Sequence, residues 1–392
     1  MIDGADLDRK RICIVATVPH AIKAFMRAHI DVLSASYNVT LVANGSSDDL
    51  AELLGSRVSF IPLQIKRKIS IKHDILALVN LWRLFRAEKF DSVHSITPKA
   101  GLLSMLAARF AGVPLRFHTF TGQVWVTQQG FRRFLLKFLD MVLARNATHV
   151  LADSHSQRLF LVENGVVDAS SIDVLADGSV AGVDPNRFKY SAKLRQKIRL
   201  NYQIQNDAIV YLFLGRLNRD KGLLDLLRAF AKAAKKNTNL HLLIVGPDED
   251  GFEVRLAAFA QRFPDRVHRV GFTDYPENYM SAADVLCLPS YREGFGVVII
   301  EAASVGLPVI ASRIYGITDA VEDGVTGILH CPASSQEIAK AMLLLASDGN
   351  IRRRMGDAAR VRAADKFSET RVTKALYDFY HKMFSTVRIK SN

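Results

Sequence analysis

The sequence predicts an α/β protein with two doubly wound parallel sheets, and three observations support this fold class. Short apolar segments rich in β-branched residues recur along the chain, each followed by a stretch with helical periodicity. These segments are apolar on both faces, which is typical of parallel strands that are covered by helices on each side. The length of 392 residues and the hydrophobic content of 49% suit two cores better than one.

The strand pattern occurs six times in each half of the chain. The predicted strands are 11–17, 38–44, 57–63, 91–96, 113–119 and 147–153, followed by 208–215, 240–246, 267–272, 283–289, 307–312 and 326–330. Because helical segments separate these strands, each half is expected to form a Rossmann-like domain.

The domain boundary is expected near the polar stretch 186–207, which carries no strand signal. We therefore expect an N-terminal domain over 1–190 and a second domain over 191–366. Residues 367–392 would form a C-terminal helix that is capped by Ser368–Glu369–Thr370 and packs back towards the first domain. Ligands of open parallel sheets bind at the carboxyl ends of the strands, so we expect a site in a cleft between the two domains.

Composition argues against several classes of protein. Cys13, Cys287 and Cys331 are scattered and form no CxxC pair, which disfavours a disulfide framework or a zinc site and favours a reducing compartment. The first residues are polar and acidic, unlike a signal peptide, and no apolar run reaches the roughly 18 residues of a spanning helix. The expected location is therefore cytoplasmic.

Two basic segments in the first half contribute to the net charge of +13. Residues 65–74 carry three lysines and one arginine against one aspartate, and residues 130–147 again mix basic with apolar side chains. Such segments suit an anionic membrane surface or nucleic acid, while a solvated basic face is the simpler alternative. The apolar residues within both segments favour the membrane.

The loop GRLNRDKG (215–222) directly follows a predicted strand and opens a helix. Its backbone N–H groups and the positive end of the helix dipole favour phosphate at this turn. Arg216 and Lys221 add a guanidinium and an ammonium, and Gly215 and Gly222 bracket the loop. The alternative is a turn with two solvated cations, but the placement after an apolar strand favours a diphosphate clamp.

A second loop, 290–296, lies between a predicted strand and the helix that contains Glu301. Glu293 would lie at the carboxyl edge of the sheet, where Gly294 and Gly296 allow a ligand to approach the backbone closely. Ionised carboxylates accept hydrogen bonds from vicinal hydroxyls, so the two glutamates suit the two ends of a sugar-containing ligand. The alternative for Glu301 is a partly exposed helix residue that is capped by a neighbouring group.

These motifs together resemble glycosyltransferase family 4, whose members are retaining enzymes with the two-domain GT-B fold. The resemblance rests on the two glutamates with their interleaved glycines, on 215–222 and on GLPVIASRIYGITDAVEDGVTGIL (306–329). The segments 94–122 and 177–184 resemble the N-terminal half of bacterial members that act on lipid-linked saccharides in O-antigen, capsule or glycan biosynthesis.

The resemblance implies a donor site in the second domain. Arg216 and Lys221 would hold the donor diphosphate and neutralise charge on the leaving nucleoside diphosphate. Glu301 would bind the ribose, and Glu293 would contact the donor sugar with help from the backbone N–H groups that follow it. The donor-binding residues that it implies are Gly215, Arg216, Lys221, Phe272, Gly294, Phe295, Gly296 and Glu301.

Further residues take roles by resemblance. Val270–Phe272, at the end of a strand, would neighbour the nucleobase. His118 in FHTFTG matches a histidine near the reacting sugar, and a structural role is the alternative for a histidine at a strand end. Retaining enzymes of this fold are explained by front-face attack, in which the leaving phosphate helps to take the proton of the acceptor. Positioning and electrostatics would then carry catalysis, without a carboxylate dyad. The implied catalytic residues are Glu293, His118, Arg216 and Lys221.

Two features depart from the family pattern. The loop after the first strand reads TVPHAIKAF where many members have a Gly-Gly turn, so it would face the acceptor, and the resemblance leaves open whether His20 takes part. Asp248, Glu249 and Asp250 mimic a metal-binding DxD motif of a different transferase fold, but their place before a helix predicts an N-terminal acidic cluster. We expect neither a metal nor a cofactor besides the nucleotide-sugar.

The resemblance implies a hexosyl or N-acetylhexosaminyl transferase that uses a nucleotide-sugar, with UDP favoured, and a polyprenyl-diphosphate-linked saccharide as acceptor. It would act at the inner face of the cytoplasmic membrane in lipopolysaccharide or exopolysaccharide biosynthesis, bound peripherally to anionic lipid. One alternative is a nucleotide-sugar 2-epimerase of related fold, which the paired glutamates disfavour. Another is a non-enzymatic basic protein that binds membranes or nucleic acid, although no helix-turn-helix, RNP or zinc motif supports nucleic acid.

Overall fold

The computed structural model describes residues 9–67 and 69–390, without the side chains of residues 387–390. Residues 1–8, 391 and 392 lie outside the described residues, as does Lys68 in the first basic segment. Residue contacts divide the chain into a first unit, Met1–Ala181 with Glu369–Asn392, and a second unit, Gly182–Ser368. The division after Ala181 lies nine residues before the expected boundary at 190.

The first unit contains a seven-stranded sheet in which all paired strands are parallel. Its strands are β1 (Arg11–Val15), β2 (Asn38–Ala43), β3 (Val58–Pro62), β4 (Ser92–Ser95), β5 (Leu115–Phe120), β6 (His149–Ala152) and β7 (Ile172–Val174). The helices between them are α1 (Pro19–Ser34), α2 (Ile71–Glu88), α3 (Pro98–Ala111), α4 (Gly130–Asn146) and α5 (His155–Glu163). The strand order is β3-β2-β1-β4-β5-β6-β7.

The second unit contains a six-stranded parallel sheet. Its strands are β8 (Ile209–Leu214), β9 (Leu240–Val245), β10 (Val267–Val270), β11 (Val285–Leu288), β12 (Val309–Ser312) and β13 (Gly327–His330), in the order β10-β9-β8-β11-β12-β13. Its helices are α6 (Ala192–Asn201), α7 (Leu223–Ala234), α8 (Glu253–Gln261), α9 (Pro276–Ala282), α10 (Val297–Val305), α11 (Ile317–Ala320), α12 (Ser335–Ser347) and α13 (Gly349–Phe367). Two doubly wound parallel sheets confirm the predicted fold class.

Strand order reverses once in each sheet, between β1 and β4 and between β8 and β11. In such sheets the ligand binds beside the loops that follow the two strands on either side of this point, at the carboxyl ends of the strands. In the first unit these are the loops after β1 and β4, which are joined by a 2.7 Å hydrogen bond between the hydroxyls of Thr17 and Thr97. His20 is exposed at the start of α1, directly after this loop.

The polar stretch 186–207 is not an open linker but contains α6. Arg199 in this helix is only 1% exposed, and its guanidinium contacts Asp284 at 2.7 Å, at the start of β11. The same side chain donates a hydrogen bond of 3.0 Å to the carbonyl oxygen of Ala282. A buried arginine with this many acceptors makes α6 part of the core of the second unit.

The last helix, α14 (Glu369–Lys390), packs within the first unit. The hydroxyl of Tyr380 and Nδ1 of His94 share a buried hydrogen bond of 2.9 Å, and the ring of Phe379 meets that of Phe117 at 5.0 Å. Arg371 adds an ion pair with Asp177 at 2.9 Å. The helix therefore covers the sheet as an integral element. Among the described residues no helix is long and apolar enough to cross a membrane.

Candidate active site

The sheet order of the second unit brings the two predicted loops together. Residues 215–222 follow β8 and residues 289–296 follow β11, and these strands pair directly through Val285 with Tyr211 and Leu286 with Leu212. The two loops leave the same edge of the sheet at its topological switch point, where ligands of such sheets bind. The candidate site therefore lies between residues that are about 70 positions apart in sequence.

Two glycines hold the loop 289–296 from two sides. Gly222 has a φ of +66°, and a Cβ atom on it would lie 2.0 Å from the carbonyl oxygen of Pro289. Gly316 has a φ of +82°, and a Cβ atom there would lie 2.3 Å from the carbonyl oxygen of Gly294. A side chain at either position would push the loop away, so both glycines are required for this close packing.

Lys221 and Glu293 form an ion pair in which Nζ and Oε1 are 2.5 Å apart. Their side chains are 18% and 12% exposed, so solvent screens the pair only in part. The hydroxyl of Ser290 donates a second hydrogen bond of 2.8 Å to the same carboxylate oxygen. Lys221 and Glu293, which the resemblance assigned to the diphosphate and to the sugar of one ligand, are thus direct neighbours.

Arg216 pairs with Glu249 instead. Its Nη1 lies 2.8 and 3.1 Å from the two carboxylate oxygens, and the amide of Asn218 donates a further hydrogen bond of 3.1 Å to Glu249. Asp250 accepts the backbone N–H of Arg219 at 2.8 Å. These two acidic residues therefore hold the loop 215–222 in place, a role that sequence reasoning missed because it depends on the neighbouring order of β8 and β9.

Asp248 has the role that the sequence predicted for the whole acidic triplet. Its carboxylate accepts the backbone N–H of Glu253, the first residue of α8, at 3.0 Å. Backbone hydrogen bonds, first from Phe252 and also from Glu253, lower the pKa of this carboxyl. Asp248 is thus an ionised group at the helix start, as the dipole favours.

Glu301 lies half-buried in the second turn of α10. Burial raises its pKa to about 7, while the charge of Arg187 lowers it and that of Glu277 raises it further. Near neutral pH this carboxyl is therefore present in both its protonated and its ionised form. A group in this state responds to any ligand that favours one of its two forms.

The two phenylalanines of the predicted donor site lie in different environments. Phe272 is 58% exposed in the loop after β10, where a planar ligand could stack on its ring. Phe295 is 1% exposed, and its ring packs against that of Phe367 at 5.1 Å. Only the backbone of Phe295 is therefore available to a ligand, while its side chain anchors the loop just before Gly296, which caps α10.

His118 lies in β5 of the first unit and is completely buried. Its Nδ1 bonds the hydroxyl of Ser95 at 2.8 Å, and its Nε2 has no hydrogen-bond partner among the described residues. Burial lowers its pKa to about 3, the charge of His94 lowers it further, and the hydrogen bond at Ser95 opposes both. The ring is thus neutral near pH 7 and keeps one unpaired polar atom, which is costly unless a ligand or water reaches it.

Comparison with known proteins identifies the family. The family model described as "Glycosyl transferases group 1" matches residues 195–362, and the model described as "Glycosyl transferase 4-like domain" matches residues 30–178. The UDP-Gal:alpha-D-GlcNAc-diphosphoundecaprenol alpha-1,3-galactosyltransferase of Escherichia coli is 30% identical over 284 residues, which cover 70% of each chain. The chain belongs to glycosyltransferase family 4.

This glycosyltransferase is also similar to other proteins along nearly its whole length. It is 29% identical over 378 residues to the "Capsular polysaccharide biosynthesis glycosyltransferase CapM" of Staphylococcus aureus, covering 96% of this chain and 98% of that protein. The sucrose-phosphate synthase of Thermosynechococcus elongatus superposes with a TM-score of 0.80 at 22% identity, over 96% of this chain and 100% of the other. HepE of Anabaena, solved with UDP and glucose, gives 0.79 at 20% identity, over 95% and 100%. These structures share the GT-B fold with the glycosyltransferase.

Gly222→Ala should destabilise the glycosyltransferase more than Gly324→Ala. Both glycines have positive φ, +66° and +77°, so both substitutions cost about 1–2 kcal/mol for the left-handed backbone. Only the new methyl group at 222 meets the Pro289 carbonyl, because position 324 has open space around it. The added crowding should cost about 1–3 kcal/mol more in the free energy of unfolding, measured with urea. Equal losses in the two variants would contradict the close loop packing.

Proposed function

We propose that this glycosyltransferase transfers a sugar, with retention of configuration, from a UDP-sugar to a polyprenyl-diphosphate-linked saccharide in cell-surface polysaccharide biosynthesis. The observation that carries the proposal is the placement of Lys221 beside Glu293 where β8 and β11 end. A nucleotide-sugar presents phosphate oxygens, which need cations, next to hydroxyls, which need an acceptor. This pair offers both groups within a few ångströms.

The donor is a nucleotide-sugar held mainly by Arg216 and Lys221. Its diphosphate replaces Glu249 on Arg216 and Glu293 on Lys221, so each cation exchanges a carboxylate for phosphate oxygens. The name of the relative from Escherichia coli specifies UDP-Gal, and HepE of Anabaena was solved with UDP-glucose, which supports uridine as the base. Because two fixed cations supply the charge, we propose that the transfer needs no metal ion.

The reaction uses the leaving group as its base. The bond between the anomeric carbon and the diphosphate oxygen breaks, and the acceptor hydroxyl attacks from the same face while a phosphate oxygen takes its proton. Arg216 and Lys221 stabilise the negative charge that develops on the diphosphate. Glu293, released by Lys221, accepts a hydrogen bond from a sugar hydroxyl. His118 is buried and neutral in the first unit, and it transfers no proton in this scheme.

The acceptor is proposed to be lipid-linked, and an exposed apolar stripe on α4 supports this. Phe131, Phe134 and Phe138 are 75%, 67% and 45% exposed, and their spacing places them on one face of the helix. Arg132 and Arg133 are exposed beside them, and the described N-terminal turns of α4 contain no acidic residue. An apolar face flanked by cations is suited to an anionic lipid surface.

The start of α2 extends the same kind of surface. Ile71, Ile75 and Leu76 are all more than half exposed. Helices that follow parallel strands begin at the carboxyl edge of the sheet, so the exposed turns of α2 and α4 both lie at that edge. Since α3 packs against both helices, these turns flank the edge where acceptor-binding loops of the first unit emerge. We propose that the protein docks peripherally on the membrane through this edge.

Lys221→Ala should lose most of the thermal stabilisation that UDP gives to the wild type, because the diphosphate loses its ammonium. At a UDP concentration about 100 times Kd, the wild type should gain about 2.7 kcal/mol, measured as a shift of Tm. Lys232→Ala is the matched control, since this exposed lysine of α7 bonds Ser335 and Gln336 instead. Equal shifts in the two variants would remove the diphosphate assignment, and a larger shift with GDP would reassign the base.

The affinity for UDP should rise as the pH increases through about 7, and part of this rise should come from the ionisation of Glu301. Its raised pKa means that half of the free protein carries a protonated Glu301 at that pH, whereas ribose hydroxyls need the ionised form as acceptor. Binding therefore releases a proton, and Kd falls as pH rises. Calorimetry should detect this proton release in the wild type but not in Glu301→Gln. Since UDP ionises in the same way with both proteins, the difference between them isolates the contribution of Glu301. Identical pH profiles would refute the ribose role.

Replacing Phe131, Phe134 and Phe138 together with alanine should weaken binding to vesicles that contain anionic lipid by at least about tenfold, because apolar burial is lost. Co-sedimentation measures this. Phe110→Ala is the control, since this residue is 69% exposed but lies at the C-terminal end of α3, away from the edge where the helices begin. Unchanged binding of the triple variant, or equal binding of the wild type to neutral vesicles, would contradict docking through this edge.

A further inference from the structure

A second ion pair lies directly beside the pair of Lys221 and Glu293 and joins the same two loops. Nη2 of Arg292 is 2.6 Å and its Nε is 3.1 Å from one carboxylate oxygen of Asp220. We propose that Asp220 and Arg292 are positioning residues, which keep Glu293 paired with Lys221 before donor binding and free for the sugar afterwards. This inference rests on the proposed function.

The four charges alternate along and across the loops. Asp220 precedes Lys221 on one loop, and Arg292 precedes Glu293 on the other, so every charge has an opposite charge as its neighbour in both directions. The side chains of Arg292 and Asp220 are 20% and 28% exposed, which is nearly as buried as the first pair. Partly buried charges of this kind interact more strongly than surface pairs, because solvent screens them less.

Other contacts fix the distance between the loops independently of these charges. The backbone N–H of Tyr291 donates a hydrogen bond of 2.7 Å to the carbonyl oxygen of Asp220, and its hydroxyl bonds the carboxylate of Asp225. Gly222 adds the close approach to Pro289 described above. Since the backbone is already held, the second ion pair is not needed to bring the loops together. Its effect is to determine which cation pairs with which carboxylate.

Arg292 would otherwise compete for Glu293. It is the adjacent residue on the same loop, and without Asp220 its guanidinium would be a partly buried cation without a counter-ion. The nearest carboxylate of its own loop is that of Glu293, so Lys221 would lose its partner. When the diphosphate then takes Lys221, Glu293 would stay bound to Arg292 and could not accept a hydrogen bond from the sugar. Asp220 prevents this by occupying the guanidinium throughout.

The two members of the pair should therefore fail in opposite ways. Asp220→Asn leaves an extra positive charge beside the diphosphate site, so UDP should bind as tightly as in the wild type or more tightly. Its kcat should fall at least about tenfold, because Glu293 is misdirected.

Arg292→Gln leaves the carboxylate of Asp220 unpaired beside Lys221, so the Kd for UDP should rise at least about threefold through competition and repulsion. A role confined to folding would instead lower Tm and weaken both functions alike.

The double variant Asp220→Asn/Arg292→Gln tests the pairing itself. Neither unpaired charge remains, so its kcat should recover several-fold relative to Asp220→Asn, and its Kd for UDP should recover relative to Arg292→Gln. The measurements are kcat for sugar transfer, the Kd for UDP and Tm for each variant. Asp357→Asn is the control for loss of an ion pair outside the two loops, because it removes the exposed pair with Arg360, 3.0 Å apart, within α13.

Any of three results would overturn the inference. The first is an unchanged kcat in Asp220→Asn, and the second is a double variant whose changes in kcat and Kd are the products of those in the single variants. The third is a loss of kcat and UDP affinity that parallels the loss of Tm in every variant. The proposed function fails separately. If Lys221→Ala binds UDP like the wild type, the diphosphate site itself is misplaced. If Lys221→Ala loses UDP binding while Asp220→Asn keeps normal kcat, only the positioning role of Asp220 and Arg292 is wrong.

Discussion

The direct pairing of β8 with β11 is the constraint on which the candidate site depends. It makes the loops after these two strands neighbours, and it brings the ammonium of Lys221 within 2.5 Å of the carboxylate of Glu293. No contact within either loop could do this, because the residues are far apart in sequence. The left-handed backbone of Gly222 then allows the two loops to contact each other. The site therefore depends on the sheet topology and on the close loop packing that this glycine permits.

The charged side chains of the candidate site are paired with one another within the protein. Arg216 is paired with Glu249, Lys221 with Glu293 and Arg292 with Asp220. A diphosphate that binds here exchanges one set of partners for another, so its net gain is smaller than two unpaired cations would give. Under the proposed function, the carboxylate that leaves Lys221 becomes available to the sugar, so that donor binding also prepares Glu293 for the reaction.

Much of the fold could be predicted because its strands are apolar on both faces. All twelve predicted strands are present, whereas β7 was missed because it is only three residues long and exposes Asp173. The polar stretch 186–207 was expected to hold the domain boundary and not a core helix, because few of its residues are apolar and the most deeply buried side chain of α6 is that of Arg199. The sequence also located apolar side chains within the two basic segments but could not show which of them are exposed.

The site itself was predictable only in part. Positions directly after strands indicated Arg216, Lys221 and Glu293, because a parallel sheet exposes those loops at one edge. The partners Glu249, Asp220 and Arg292 were not identified, since pairing between loops depends on strand order and on sub-ångström loop packing. The sequence also did not predict that His118 is buried, because its burial depends on how α3 packs on the sheet. This packing is so close that a Cβ atom on Gly101 would lie 2.5 Å from the ring of His118.

A crystal structure of the protein with a bound UDP-sugar tests the central claim most directly. The account predicts that the diphosphate lies within hydrogen-bond distance of Arg216 and Lys221, that Glu293 has turned from Lys221 to a sugar hydroxyl, and that Asp220 still holds Arg292. A nucleotide bound away from the ends of β8 and β11, or a Glu293 that keeps its contact with Lys221 in the complex, would contradict it.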